Sequence, residues 1–428
     1  MKKSARIPGF FNLSRQKKLK IVKNFANLNA KEVSIIEKGI LPPVVGDRIS
    51  ENVIGSFSLP YSIAVNFLIN QKEYLIPMVT EEPSVVAAAC YGAKLMRDGG
   101  GIIAKIIEDL MIGQIYITDL KNTQIAKKKI LKIKRKILKL ANEQDFILRK
   151  MGGGAKDLEV KIFSKTKVGP VLRVHLLVDT KDAMGANIVN TMLEKIASLI
   201  EKTIKAKPLL KIVSNLAEKR TVEVKAVVTK NALKKEGFIA EEIIEKIIKA
   251  SAIAEADIYR AVTNNKGILN GMTAVALATG NDCRALEAGA HGFAAKKGGY
   301  NPLAIWKQSK RGDLIGTMTL PVTVGVVGGI IKTHPLSKIS LKILNIKTAQ
   351  DLAKIIASVG LAQNLGALRA LVSEGIQSGH MKLHAKNIAV TAGATGKTVQ
   401  VIAETMIKKG KIDVKTAQQV LKRINSKK

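Results

Sequence analysis

A mixed α+β chain built from more than one structural unit is what three features of this sequence predict. It has 428 residues, whereas one core usually organises about 150. Two β-rich runs, VLRVHLLV (171–178) and VEVKAVV (222–228), flank a segment of helical character from Asp182 to Leu199, so strand, helix and strand follow one another. Hydrophobic residues make up 46% and charged residues 24%, the balance of a folded protein, which excludes a disordered chain.

The elements follow in order. Residues 14–38 are lysine-rich with helical spacing and stop at Gly39, before Pro42-Pro43. From Asp47 to Ala104 the chain is denser and carries two polar patches, ENVIG (51–55) and TEEPS (80–84). The second leads into Val85-Val86-Ala87-Ala88-Ala89, a small-residue run suited to a tightly packed helix with Pro83 in its first turn. Residues 126–140 place Ile130, Ile133, Ile137 and Leu140 on one apolar stripe among lysines, which predicts a solvated helix covering a sheet. Gly152-Gly153-Gly154 then opens the strand-rich region, and residues 109–217 read as one compact α+β unit. A helix is expected over Ala240–Ala250, glycine-rich apolar segments to about residue 375, and two helices in the last fifty residues.

Charge is the unusual quantity. Seventy basic and 34 acidic residues give +36 and a pI near 10.0, a field that attracts phosphates. Most of the bases are lysine, not the forked arginine that recognises bases and phosphates specifically. The aromatics (Trp 1, Tyr 6, Phe 9) are too few for single-strand stacking platforms. Two cysteines, Cys90 and Cys283, make no disulfide framework and fit a reducing compartment. The start of the chain is basic but lacks the apolar core of an export signal. The uncharged apolar stretch Leu320 to Ile331 contains Pro321 and three glycines, short of the ~20 residues a membrane span needs. A cytoplasmic, soluble protein is expected, with no membrane partner and no specific nucleic acid.

Several familiar motifs fail on spacing. GATGKT (393–398) lacks the glycine that a phosphate loop requires five positions before Gly396, because position 391 is Thr391. GVVGG (325–329) is not a dinucleotide fingerprint. His380 and His384 lie one helical turn apart, but Met381 stands where a zinc protease has Glu, so no metal is expected. No G-x-S-x-G elbow occurs. What remains are polar residues in small or apolar surroundings: Glu82 before the alanines, Lys266 within TNNKGILNG (263–271), and Asp282 closing ATGND (278–282). A lysine held in such a loop can stabilise an oxyanion and calls for a carboxylate partner, and a carboxyl can serve as the acid. The same three residues would equally suit a buried ion pair at a loop crossing.

Six stretches, in order, resemble the class II (bacterial and archaeal) 3-hydroxy-3-methylglutaryl-coenzyme A reductases: ENVIGSFSLP (51–60), PMVTEEPSVVAAA (77–89), DAMGANIVNTM (182–192), NNKGILNG (264–271), ATGNDCRALEAGAHG (278–292) and VGLAQNLGALRALVSEGIQSGHMKLHAKN (359–387). The resemblance implies an α+β fold. Its large mixed α/β substrate-binding domain would be 1–108 and 218–375, with a small ferredoxin-like cofactor domain inserted at 109–217. Residues 376–428 would form a helical C-terminal flap that closes over the site. The implied reaction interconverts hydroxymethylglutaryl-CoA with mevalonate and coenzyme A by two hydride transfers.

By the same resemblance, Lys266 stabilises the oxyanion, Glu82 protonates the aldehyde oxygen, Asp282 ties the two into one network, and His380 protonates the departing thiolate. Arg260 pairs with the free carboxylate of the substrate, and Ser84, Asn270, Gln363 and Asn364 are its hydrogen-bonding neighbours. The nicotinamide cofactor would sit on Asp182, Met184, Gly185 and Asn187, which explains the missing dinucleotide fingerprint, with Asn215 adding a contact. Asp145 matches the ribose acceptor of NAD-using members, so NAD(H) is favoured over NADP(H), against which the nearby Lys150 and Lys156 weigh. A homodimer or a multiple of dimers is implied. One departure is that Phe10 is followed by Phe11, where the family often has a base, so Arg6 or a nearby lysine would meet the coenzyme A phosphate. The alternative from another class is a basic nucleic-acid-binding protein, motivated by the net charge and the 127–140 helix.

Overall fold

The computed structural model describes residues 3–234, 239–296, 298–373 and 376–426, without the side chains of 376–383 and 397. Among the described residues, ten strands form two sheets. In chain order they are β1 (Tyr61–Ile69), β2 (Lys72–Val79), β3 (Ile102–Asp109), β4 (Met111–Ile117), β5 (Gly154–Phe163), β6 (Val171–Asp179), β7 (Leu210–Val213), β8 (Arg220–Val228), β9 (Ala304–Gln308) and β10 (Leu314–Pro321). The larger sheet has the order β2-β1-β3-β8-β10-β9 and the smaller one β5-β6-β4-β7. All pairings are antiparallel except the β1–β3 junction.

The smaller sheet lies entirely between β3 and β8 in sequence, close to the expected 109–217 unit, with a separate core that includes Ile115, Ile130, Ile137, Leu176, Val189 and Ile196. The lysine-rich stripe does cover this sheet, but as two helices, Thr123–Lys132 and Lys134–Asn142, because the backbone turns at Ile133. Ile130 and Ile137 are fully buried on either side of that break.

The chain leaves the larger sheet at Asp109 and returns at Arg220, and these two residues are register partners across β3 and β8. In β8 the burial pattern of Val222, Val224, Ala226 and Val228 alternates with more accessible positions, as a strand with helices packed on one face requires.

Helices build the layer packed on this sheet. Val85–Arg97 and Ile258–Ala278 both pack on the central helix Ala349–Val372. The first contact is backbone to backbone. A Cβ on Gly92 would fall 1.9 Å from the Ala362 carbonyl oxygen, and one on Gly366 2.4 Å from that of Ala88. Only glycine permits that approach, and the alanine run around it keeps the helices close. The central helix is long and apolar enough to cross a membrane, yet 78% of its apolar window is buried inside the fold.

At the N-terminus the helical stretch is also two helices, Arg15–Ala26 and Ala30–Lys38, split by a left-handed Asn27 and capped by Gly39 as expected. The C-terminal region holds three helices, not two: Ile376–Thr391, Lys397–Lys408 and Val414–Asn425, with their own small core around Ala385, Ile402, Met406 and Val420. GATGKT falls at the start of the second of these, with Gly396 as its N-cap.

Candidate active site

Lys266 does not sit in a loop. TNNKGILNG lies inside the 21-residue helix Ile258–Ala278, which tolerates Gly267 and Gly271 because its packing, not its intrinsic propensity, holds it. Its N-terminus is fixed by Asp257, whose carboxylate accepts from the Tyr259 and Arg260 amides. Asn264 and Asn265 face inward. Asn265 accepts from the Leu303 amide and donates to the Asn301 carbonyl; Asn264 accepts from Asn364, which in turn accepts from Trp306 Nε1 at 2.7 Å. With its neighbours bound inside, Lys266 projects outward, its side chain 61% exposed.

Glu82 reaches it from the turn between β2 and the helix Val85–Arg97. Lys266 Nζ lies 3.1 Å from Glu82 Oε2. The turn is strained at Ser84, whose φ of 78° puts a serine in the left-handed region at the helix N-cap, with no side-chain capping bond. Such conformations concentrate at functional sites. The helix starts at Val85, so Pro83 precedes the cap instead of occupying the first turn.

Asp282 is held differently. It caps the helix Cys283–Ala294, accepting from the amides of Arg284 and Ala285, and its two oxygens each accept from the Arg284 guanidinium at 3.1 Å. Burial pushes its carboxyl upward, but the Arg284 hydrogen bond and charge and the helix amides outweigh that and hold it below the usual carboxylate range. The structure thus joins Glu82 to Lys266 and engages Asp282 with Arg284, a side chain 91% exposed.

The expected substrate neighbours divide in the same way. Arg260 and Asn270 are half-buried on the Lys266 helix. Gln363 is 4% exposed and its Oε1 has no hydrogen-bond partner among the described residues. Asn364, by contrast, spends its oxygen on Trp306 and its nitrogen on Asn264, so it supports the site from within. The backbone of His380 belongs to the helix Ile376–Thr391, and its side chain lies outside the described residues.

At the end of β6 a tight loop, 180–185, leads into the helix Ala186–Ile204. Thr180 Oγ1 donates to the Ala183 carbonyl and Ala183 N to that of Thr180. Gly185, with φ 100°, is the N-cap; a Cβ there would come within 2.4 Å of Thr180 Cγ2. No side chain caps this helix, so its first-turn amides and positive dipole end are left for an anion. Those features fit a dinucleotide pyrophosphate. Met184 is half-buried in the loop and Asn187 exposed on the first turn.

Asp182 Oδ1 accepts from the Ala349 amide at the start of the central helix, which makes that carboxylate an anchor. Asn215 is exposed in the link between β7 and β8. Asp145 caps the short helix Phe146–Lys150 by accepting from Leu148 N at 2.8 Å. The glycines after that helix open β5, where Gly154 pairs with Asp179, so Asp145 and the 180–185 loop share one end of the smaller sheet.

Two residues to which the sequence reading gives no role link these segments. Asn281, beside Asp282, accepts from the Gly325 amide at 2.8 Å; a Cβ on Gly325 would lie 2.6 Å from Met184 N, and Val326 N donates to the Asp182 carbonyl. Arg220 is the other. An arginine beginning a strand on a lysine-rich chain reads as surface, yet it is 5% exposed.

The chain is similar to known proteins along most of its length. A family model described as hydroxymethylglutaryl-coenzyme A reductase matches residues 14–385. The chain is 51% identical over 423 residues to the 3-hydroxy-3-methylglutaryl-coenzyme A reductase of Archaeoglobus fulgidus, covering 99% of this chain and 95% of that one. It is 38% identical over 338 residues to a probable reductase of Borreliella burgdorferi, covering 79% and 77%. Among solved structures, a Streptococcus pneumoniae reductase superposes with a TM-score of 0.83 at 42% identity, covering 97% of this chain and 99% of that chain. Another, the class II enzyme of that species bound to NADPH in open conformations, gives 0.82 at 43% identity, covering 96% and 100%. With a matched model over most of its length and a full-length relative at this identity, the chain belongs to the hydroxymethylglutaryl-coenzyme A reductase family.

Proposed function

We propose that this protein reduces hydroxymethylglutaryl-CoA to mevalonate and coenzyme A, consuming two reduced nicotinamides and two protons per thioester. The observation that carries the reading is the Lys266–Glu82 pair at 3.1 Å, presented by two of the six family stretches. The nicotinamide cofactor supplies hydride. The chain's own residues manage charge and protons. As the thioester carbon is reduced, its oxygen becomes negative, and the Lys266 ammonium stabilises it there. The resulting hemithioacetal loses thiolate, which His380 protonates. Mevaldehyde then accepts the second hydride while Glu82 delivers a proton to its oxygen. Asp282 enters this network once Arg284 swings off it, a motion open to so exposed a side chain. Arg260 holds the free carboxylate of the substrate, with Ser84, Asn270 and the open Oε1 of Gln363 as its polar neighbours.

The 180–185 loop and the uncapped helix behind it receive the dinucleotide, Gly185 admitting the pyrophosphate and Asn187 and Asn215 adding contacts. The smaller unit is then an inserted ferredoxin-like cofactor domain. Its β-α-β-β-α-β element order and its wholly antiparallel β5-β6-β4-β7 sheet support that reading. NAD(H) is the favoured cofactor because Asp145, by the resemblance, matches the ribose acceptor of NAD-using members, and a carboxylate there repels a 2′-phosphate. The NADPH-bound S. pneumoniae relative and the exposed Arg149 and Lys150 mark the competing preference. The enzyme acts as a cytoplasmic homodimer or multiple of dimers, with the C-terminal helices as a flap.

The test is the absorbance of NADH, and separately of NADPH, mixed with enzyme and hydroxymethylglutaryl-CoA. Thioester-dependent loss of two reduced nicotinamides per free thiol supports the proposal. No loss with either, and no cofactor reduction from mevalonate, coenzyme A and oxidised cofactor, overturns it.

A further inference from the structure

We infer that Arg220 is a positioning residue for the cofactor: its buried guanidinium holds the 180–185 loop in the shape that presents amides to the dinucleotide. The inference rests on the reading of that loop as the cofactor site.

The contacts are unusually many for one side chain. Nη1 donates to Thr180 Oγ1 at 3.1 Å, to the Ala183 carbonyl at 3.2 Å and to that of Met184 at 2.9 Å. Nη2 donates to the carbonyls of Lys181 and Ala183, both at 3.3 Å, and of Val324 at 3.1 Å. Nε pairs with Asp109 Oδ1 at 3.0 Å. Burial disfavours the charged guanidinium and holds its pKa below the usual arginine value, and Asp109, assisted by Asp179 and Asp182, offsets part of this.

The geometry gives these bonds a consequence for the loop's outer surface. No cis peptide occurs among the described residues, and in a trans peptide the carbonyl and amide point opposite ways. Drawing the carbonyls of Lys181, Ala183 and Met184 onto the guanidinium therefore turns the amides of Asp182, Met184 and Gly185 away from it. Five N–H groups in one rigid plane can serve so many acceptors at once, whereas an ammonium is a point charge with three. Through Val324 the same side chain fixes the segment whose next residue, Gly325, donates to Asn281, the neighbour of Asp282. Arg220 thus sets the cofactor loop and the acid's loop in one frame. It touches neither substrate nor cofactor and acts through the loop.

The experiment compares steady-state constants of the full-length enzyme and its variants, with thermal midpoints as the check on folding. Arg220→Lys keeps the charge and loses the fork; the cofactor KM should rise about tenfold or more while the thioester KM stays within about twofold, since small misplacements are costly only where they act. Asp109→Asn and Thr180→Val, each removing one contact, should raise the cofactor KM less and in the same direction. If Arg220→Lys does not fold, these two carry the test alone. Asn187→Asp serves as the control for the loop itself, because an acid in the first turn suits the helix and repels phosphate. An unchanged cofactor KM in the folded Arg220, Asp109 and Thr180 variants, with a raised one in Asn187→Asp, overturns the Arg220 inference alone. No change in any of the four overturns the reading of the loop, and this inference with it.

Discussion

The ammonium of Lys266 and the carboxylate of Glu82 meet at 3.1 Å across 184 residues of sequence. Neither element makes the pair alone. The Lys266 helix and the helix that follows Glu82 are both seated on Ala349–Val372, and the Gly92–Gly366 crossing sets how closely the second lies.

Removing the ammonium should separate chemistry from folding. Lys266→Met is expected to lower kcat by about a hundredfold to a thousandfold, the usual effect of deleting an oxyanion-stabilising group. Its side chain is 61% exposed, so the thermal midpoint should barely move. Steady-state rates beside a melt decide the matter, and a fully active Lys266→Met would remove this residue from the mechanism.

The Asn264–Asn364–Trp306 chain is a stability element. Asn364→Leu would strand the Trp306 indole N–H and the Asn264 oxygen inside the core, each without its partner. A loss of about 2 kcal/mol or more is expected. Trp306 is the sole tryptophan, so urea unfolding followed by its fluorescence reads the site directly. An unshifted midpoint would show that water or a neighbouring group satisfies both atoms.

Cofactor choice can be tested without disturbing the local fold. Asp145→Ser keeps an oxygen at the N-cap of Phe146–Lys150 and removes the charge. The ratio of kcat/KM for NADPH over NADH should rise, by about tenfold. An unchanged ratio would place the discrimination elsewhere, with Arg149 and Lys150 next to be replaced.

Acid sensitivity should trace in part to His175 on β6. Burial, with the positive charge of Arg173 and against the opposing effect of Glu218, brings its pKa down to about 4 from 6.5. Gln114 Nε2 lies 3.2 Å from His175 Nε2, a contact that wants an unprotonated ring nitrogen. The unfolded chain binds the proton at higher pH than the folded one. The advantage of the neutral ring is therefore complete above pH 6.5 and lost progressively as pH falls toward 4. From pH 7 to 5 this one group should cost about 2 kcal/mol. Urea midpoints at the two pH values should differ less in His175→Gln than in the parent; an equal difference would assign the acid lability to other groups.

How legible the site was in the sequence depended on the kind of residue. The six family stretches carried Glu82, Lys266, Asp282 and residues 182–187, the positions to which the resemblance assigns roles. Their local setting was less legible. Two glycines and three asparagines made 263–271 read as a loop, whereas buried hydrogen bonds at Asn264 and Asn265 hold it as helix. The break at Ile133 and the third C-terminal helix were missed because periodicity continues through the first and short capping turns delimit the second. The roles of Arg220 and Asn281 were not legible, since their partners include carbonyls and amides whose positions only the folded backbone defines.

The placement of Asp109 opposite Arg220 has a consequence for how the chain acquires its structure. β3 and β8 are neighbours in the larger sheet, yet the whole smaller sheet is threaded between them. Their ladder can zip only after more than a hundred residues have been drawn out of the way, a costly loop closure unless those residues have already condensed. The smaller unit has its own core, and all its strand pairings lie within its own span of sequence. It should therefore condense early, bring its two ends together, and let the larger sheet close across them. Damage to Ile115, Leu176 or Ile196 would then slow the maturation of strands they never touch.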